Sequence, residues 1–179
     1  FVNALFARGN GPRVPRRLCV VVGRRALVDS QADRAMKIQR CMVDVLNNDT
    51  ASSESDIIYR VAKLLSSFHV HNVTEPFLVG HIRGELSNRS LPVNEPSVCA
   101  IIAATPDMWG SRLLFKGYGS SKQARPRETA LIAMDSVFVL DEAHLNQQLL
   151  VTARRVAELQ ELGADIGVPR LQVVETTAT

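Results

Sequence analysis

Apolar residues along the chain follow two alternating patterns. Short runs dominated by apolar side chains occur at residues 18–22, 77–82, 98–104, 137–140 and 171–174. Runs of this length without polar alternation predict strands buried on both faces, as in a parallel sheet. Between them the apolar positions repeat at helical spacing. Ala26, Val28, Ala32, Ala35, Met36 and Ile38 predict a helix reaching about Leu46, and Ile57, Ile58, Val61, Leu64, Leu65 and Phe68 predict a second. Leu149, Leu150, Ala153, Val156, Ala157 and Leu159 predict a third, with Gly163 as its stop. Residues 47–55 and 88–95 are polar and rich in turn formers, hence loops, and Ser53 with Asp56 can cap the helix that follows the first of them. Strands alternating with helices give one α/β domain with a mainly parallel sheet and helices on both faces.

Composition changes this picture little. The chain has 179 residues, 46% hydrophobic and 22% charged, enough for a real core. A net charge of +3 is compatible with nucleic acid, but the signal would lie in where the charges cluster. Pro12, Pro15 and the neighbouring arginines form a basic, non-helical lead-in. The first residue is Phe1, as expected of a piece cut from a longer protein. No signal peptide or apolar run of membrane-spanning length is present. Cys19, Cys41 and Cys99 lack zinc or pairing spacing and read as reduced thiols of a cytoplasm. His69, His71 and His81 have no Cys or carboxylate pattern beside them and are not expected to hold a metal.

The densest chemistry follows the run 137–140. Asp141, Glu142, Ala143 and His144 stand at its C-terminal end, where open α/β sheets place their ligands. Asp141 suits Mg²⁺, which favours one or two carboxylates together with nucleotide phosphates. Glu142 suits the water that attacks a γ-phosphate. The segment resembles Walker B, or motif II, of a superfamily 2 helicase of the DEAH-box type. The phosphate-binding loop that partners such a motif would read G-x-x-x-x-G-K-[ST]. It is absent, since no glycine in the chain is followed by lysine.

Three further segments extend the resemblance. Residues 20–31 place Arg24 and Arg25 at a helix N-terminus, where the helix dipole opposes cations and a bound phosphate would relieve the conflict. This stretch resembles the motif Ia region of CRISPR-associated type I helicase-nucleases, with Gly23 where relatives carry Asp. Residues 103–119 are similar to the stretch before the DEAH box in the subtype U/G members. There Thr105 is placed like the motif Ib residue that touches the DNA backbone. Ser111 and Arg112 are expected near the start of the next helix, within reach of phosphate. Lys116, Tyr118 and Lys122 add charge and a ring on which a base can stack. Thr177, Ala178 and Thr179 look like motif III.

The resemblance implies that residues 1–179 are a partial first RecA-like helicase domain carrying motifs Ia, Ib, II and III. Its sheet would lack the P-loop strand, placed upstream of Phe1, and a second RecA-like domain with an arginine finger would follow Thr179. It further implies ATP hydrolysis with Mg²⁺, movement on single-stranded DNA, recruitment by an RNA-guided CRISPR surveillance complex, no membrane contact, and the cytoplasm of a prokaryote. Asp141 would serve the metal and Glu142 the water. His144, Thr177 and Thr179 would couple the nucleotide site to DNA, while Arg24, Arg25, Thr105, Ser111 and Arg112 would meet the DNA backbone, exposed on a side distinct from Asp141. Without the P-loop strand, apolar edges at 137–140 and 171–174 would lie open. The His-Asp nuclease of such proteins must lie elsewhere, since no His-Asp pair occurs. Two alternatives stay open: another superfamily 2 ATPase, such as a repair helicase or a restriction translocase, and a non-catalytic nucleic-acid-binding remnant.

Overall fold

The computed structural model describes residues 15–47, 53–70, 73–84, 91–163 and 167–177. Strand β1 (Arg17–Val21) leads into helices α1 (Arg25–Asn47) and α2 (Ser53–Ser66). Strands β2 (Leu78–Ile82) and β3 (Ala100–Ala104) follow, then helices α3 (Pro106–Leu113) and α4 (Arg125–Ala133). Strand β4 (Ser136–Leu140), a short 3₁₀ turn (Ala143–Leu145), helix α5 (Gln147–Glu161) and strand β5 (Gln172–Glu175) complete the order. All five strands are parallel and lie in the order β2-β3-β1-β4-β5. Each run expected to be a strand is one, shifted by at most two residues at its ends.

The order explains the layers. From β1 the chain moves two places one way to reach β2; from β3 it moves two places the other way to reach β4, and once more to reach β5. Right-handed crossovers in opposite directions put their helices on opposite faces. One face carries α3, α4 and α5 over Cys19, Val21, Ile102, Phe138 and Leu140. Its centre is the stack of Trp109 on Phe138, with ring centroids 4.0 Å apart. The other face packs α1 through Val28 and Ala32 against Val20, Val79 and Ala103, and α2 through Leu65 against Phe77 and Cys99. Helices lie on both faces, and the architecture fits a RecA-like sheet.

The open-edge expectation needs correction. Strand β4 pairs with β1 on one side and β5 on the other, so the 137–140 run has no free edge. Among the described residues the edge strands are β2 and β5, so the 171–174 run does lie at an edge; β5 is short and begins and ends with Gln172 and Glu175. Such an edge recruits neighbours poorly. What lies open is part of a sheet face: Val137 and Val139 are only half-buried on the face that carries α1 and α2, and Val174 is exposed.

Two features were absent from the expected elements. Helix α4 begins between Ala124 and Pro126, and Thr129, Leu131, Ile132 and Ala133 are all buried. With these four buried in near succession and only Ala130 exposed among them, the stripe that periodicity detects is blurred. Arg17 lies inside β1 and is buried, its guanidinium donating to Pro96 O at 2.8 Å and Met134 O at 2.9 Å. The buried Asp135 carboxylate accepts from Arg16 N at 3.0 Å and Arg16 Nε at 2.5 Å, with Arg17 Nη2 at 3.6 Å. This network closes the N-terminal edge of the sheet. The lead-in before residue 15, the second threonine of motif III (Thr179) and His71 lie outside the described residues.

The core sets cysteine reactivity. Cys19 is fully buried, and burial pushes its thiol up to about 11, partly offset by Trp109 and Arg17. Cys99 is also buried, whereas Cys41 is exposed on α1. The thiolate is the reactive form. Brief treatment with a thiol reagent at pH 8 is therefore expected to label Cys41 and spare Cys19 and Cys99, read by peptide mass spectrometry. Labelling of Cys19 at the rate of Cys41 would show that the sheet opens.

Candidate active site and nucleic-acid face

All the C-terminal strand ends meet at one edge, so sequence-distant groups become neighbours. Strands β1 and β4 are adjacent, but α1 leaves β1 onto one face while α5 follows β4 on the other. That divergence makes a crevice at their C-terminal ends. Asp141 stands there, its N–H donating to Val21 O at 2.9 Å. Its Oδ1 accepts from Thr176 Oγ1, also at 2.9 Å.

Thr176 is the residue that sequence reading missed. It follows β5 directly and makes three links to the Asp141 turn. Its N–H donates to Leu140 O at 3.0 Å, its carbonyl accepts from Ala143 N at 3.1 Å, and its hydroxyl reaches Asp141. Thr177, expected at this edge as part of motif III, is there, one residue further on. Neighbouring strand residues point to opposite faces, so a shift of one decides which threonine faces Asp141. The only sequence signal was a hydroxyl at position 176, within a threonine pair.

Glu142 adopts a left-handed conformation, with φ 50° and ψ 50°, which a non-glycine residue occupies at a cost. The turn leaves its carboxylate 43% exposed, with Oε2 3.3 Å from His144 Nδ1. Gln147 at the start of α5 donates to Ala143 O at 3.3 Å, fixing the helix to the turn. The result is a rigid backbone bearing one carboxylate anchored by a hydroxyl and a second one open to solvent. Such a sparse acidic pair fits Mg²⁺, which keeps most of its water and takes further oxygens from phosphate. Among the described residues no cluster of three metal-ligating side chains forms a complete protein cage.

The expected DNA-contacting residues separate into two groups. Arg24 and Arg25 are exposed where α1 begins, and Thr105 is half-buried just before α3. These three share the C-terminal edge of the sheet with Asp141, so the expectation of a distinct side does not hold. Ser111 and Arg112 lie in the last turn of α3, not near its start. Ser111 Oγ donates to Met108 O at 3.1 Å. The Arg112 side chain is 11% exposed and pairs with Glu128 at 3.1 Å, against the expectation that it faces solvent. Its pKa is lowered, chiefly by burial, with Glu128 acting the other way. Arg112 therefore ties α3 to α4 and is not placed to meet phosphate. Glu128 also accepts from Ser120 Oγ at 2.6 Å, so it ties both α3 and the middle of the intervening loop to α4.

Between α3 and α5 opens a cleft of about 770 Å³. Leu114, Leu145 and Leu149 give it apolar walls, and Ser111, Lys116 and Tyr118 line the side of the loop after α3. Gly110 allows the close approach of the two helices, since a Cβ there would meet Leu149 Cδ1 at 3.0 Å. His144 belongs to the same cleft, which links it to the Asp141 turn.

No family model, curated protein or solved structure matches the chain. Among the described residues, no helix is long and apolar enough to cross a membrane.

Proposed function

We propose that the chain is part of the first RecA-like domain of an ATP-dependent superfamily 2 DNA helicase or translocase of the CRISPR-associated type I kind. The observation that carries this reading is the Asp141–His144 turn, which presents two carboxylates at a sheet crevice and is hydrogen-bonded to the end of the next strand through Thr176. ATP with Mg²⁺ would supply the γ-phosphoryl group and its charge neutralisation. Asp141, held by Thr176, would bind the metal side of the nucleotide. Glu142, projected outward by its left-handed backbone, would orient and deprotonate the attacking water. His144, within reach of Glu142 and lining the α3–α5 cleft, would pass the state of the nucleotide site to that cleft. Arg24, Arg25 and Thr105 would meet the backbone of single-stranded DNA. Arg112 is removed from this contact by its pairing with Glu128. The RNA-guided surveillance complex would be the recruiting partner and the prokaryotic cytoplasm the setting.

The reading requires a phosphate-binding loop and an arginine finger from outside residues 1–179, because the sequence contains no G-K-[ST]. The test is ATP hydrolysis by a longer protein that carries this segment together with both. Hydrolysis stimulated by single-stranded DNA supports the reading. Hydrolysis that ignores DNA argues for a different superfamily 2 ATPase, and DNA binding with no hydrolysis argues for a non-catalytic remnant.

A further inference from the structure

We propose that the α3–α5 cleft seats an unpaired base of a nucleic-acid strand, stacked on Tyr118, with Lys116 and Lys122 meeting the adjoining phosphates. This deepens the proposed function and rests on it only for the identity of the strand as DNA. Three independent observations carry it.

The first is charge. Residues 108–127 contain Arg112, Lys116, Lys122, Arg125 and Arg127 and no Asp or Glu. Arg112 is consumed by Glu128, but Lys116, Lys122 and Arg127 are exposed. Lys116 thus lines the cleft, with Asp107 as the one carboxylate of its wall, and Lys122 on the same loop and Arg127 at the start of α4 extend the positive charge beyond it, as a polyanion requires.

The second is the display of rings. Tyr118 is 65% exposed although it lines the cleft, and Phe115 beside it is 57% exposed. Burial in a core would normally claim such side chains. Exposed aromatics interleaved with lysines are the composition of a single-strand stacking platform.

The third is the backbone that holds them out. Phe115 has φ 60°, Gly117 φ 46° and Gly119 φ 79°, so three of five consecutive residues are left-handed. For Phe115 that conformation costs about 1–2 kcal/mol, with little ring burial to offset it. The turn is fixed by Lys116 N and Gly117 N, which donate to Ser111 O at 2.8 and 3.1 Å, and by Glu128 gripping Arg112 and Ser120. A Cβ on Gly117 would meet Ser120 Cβ at 3.2 Å. Asn146, Gln147 and Gln148 line the same cleft and offer amide groups for base edges, and Asp107 adds an acceptor for an exocyclic amine. The cleft volume falls in the range of small-ligand sites, ample for a base with its sugar.

The experiment is fluorescence anisotropy of the 179-residue chain with a labelled single-stranded oligodeoxynucleotide, and with an abasic strand of the same length. Tyr118→Ala is expected to weaken binding of the intact strand about 5- to 150-fold, with Tyr118→Phe close to wild type and circular dichroism unchanged. The abasic strand should bind wild type as weakly as the intact strand binds Tyr118→Ala, and should be indifferent to that substitution. Lys116→Ala with Lys122→Ala should flatten the salt dependence by roughly 1.4 in slope. Wild-type affinity for the intact strand in Tyr118→Ala, equal affinity for intact and abasic strands, or no binding by wild type would each overturn the site. The outcome is separable from the helicase reading. Loss of base sensitivity with DNA-stimulated ATP hydrolysis intact in the longer protein removes this cleft alone, while base-dependent binding without hydrolysis keeps the cleft and removes the helicase.

Discussion

Glu142→Gln, in a longer protein that supplies the phosphate-binding loop and arginine finger, is expected to reduce ATP turnover about 10²- to 10⁴-fold and leave ATP bound. The reason lies in the division of labour at the turn. Asp141 is half-buried, hydrogen-bonded to Thr176 and, through its N–H, to the Val21 carbonyl, so in the proposed reaction it would hold the metal. Glu142 is held by backbone alone, and its carboxylate meets solvent and His144, so in the proposed reaction it would act on water. Gln is nearly isosteric and preserves hydrogen bonding, but cannot take a proton. Nucleotide affinity, set by groups that contact phosphate, should therefore survive. Filter binding of labelled ATP beside a phosphate-release assay separates the two quantities. A variant that turns over ATP at the wild-type rate would remove Glu142 from the reaction.

The isolated 179-residue chain should show no turnover at all. Its carboxylates can organise water and metal only around a nucleotide held by other groups, and loss of an arginine finger alone costs roughly 10³–10⁵ in rate. Its poor solubility, if observed, should trace to the open part of the sheet face at Val137, Val139 and Val174 and not to open edges of the Asp141 strand, which is paired on both sides.

The residues show why some of this was legible in the sequence and some was not. Strands β1 and β3 are short apolar runs because helices cover both their faces, and β4 because one face is fully buried and the other half-buried, and that burial writes itself directly into composition. Parallel pairing then follows from intervening helices, and parallel pairing puts every strand end that carries chemistry at one edge. Side-chain partners across the fold leave no such trace. Arg112 resembles a phosphate ligand until Glu128, sixteen residues on, is seen to neutralise it. Arg17 reads as part of a solvated basic lead-in until Asp135, in the turn just ahead of β4, is placed beside it. Thr176 and Thr177 differ by a single step along the end of a strand, below what a pattern of apolar residues resolves.

Asp135→Ala is expected to destabilise the domain by about 3–5 kcal/mol. Asp135 is 1% exposed and sits where four strands converge at the edge opposite the Asp141 turn. Its carboxylate holds Arg16 and Arg17 before and within β1. Its N–H donates to Pro169 O at 2.6 Å ahead of β5, and Arg17 continues the network to Pro96 ahead of β3. Removing the carboxylate leaves the buried Arg17 with two carbonyl acceptors and no counter-charge. Burial already lowers the pKa of Arg17 and Asp135 is the chief group opposing that shift, so the loss falls on a cation with little else to stabilise it. Asp135 is also left-handed, with φ 53°, a region that Asn tolerates and Ala does not. Asp135→Asn should therefore cost less than Ala, retaining the backbone and an acceptor but not the charge. Arg17→Met added to Asp135→Ala should recover part of the loss, because an unpaired buried ion is worse than none. Urea denaturation with a common slope measures all three. A loss below about 1 kcal/mol for Ala, within the range of an ordinary surface change, would mean that water reaches Arg17 and that the edge is held by backbone pairing alone.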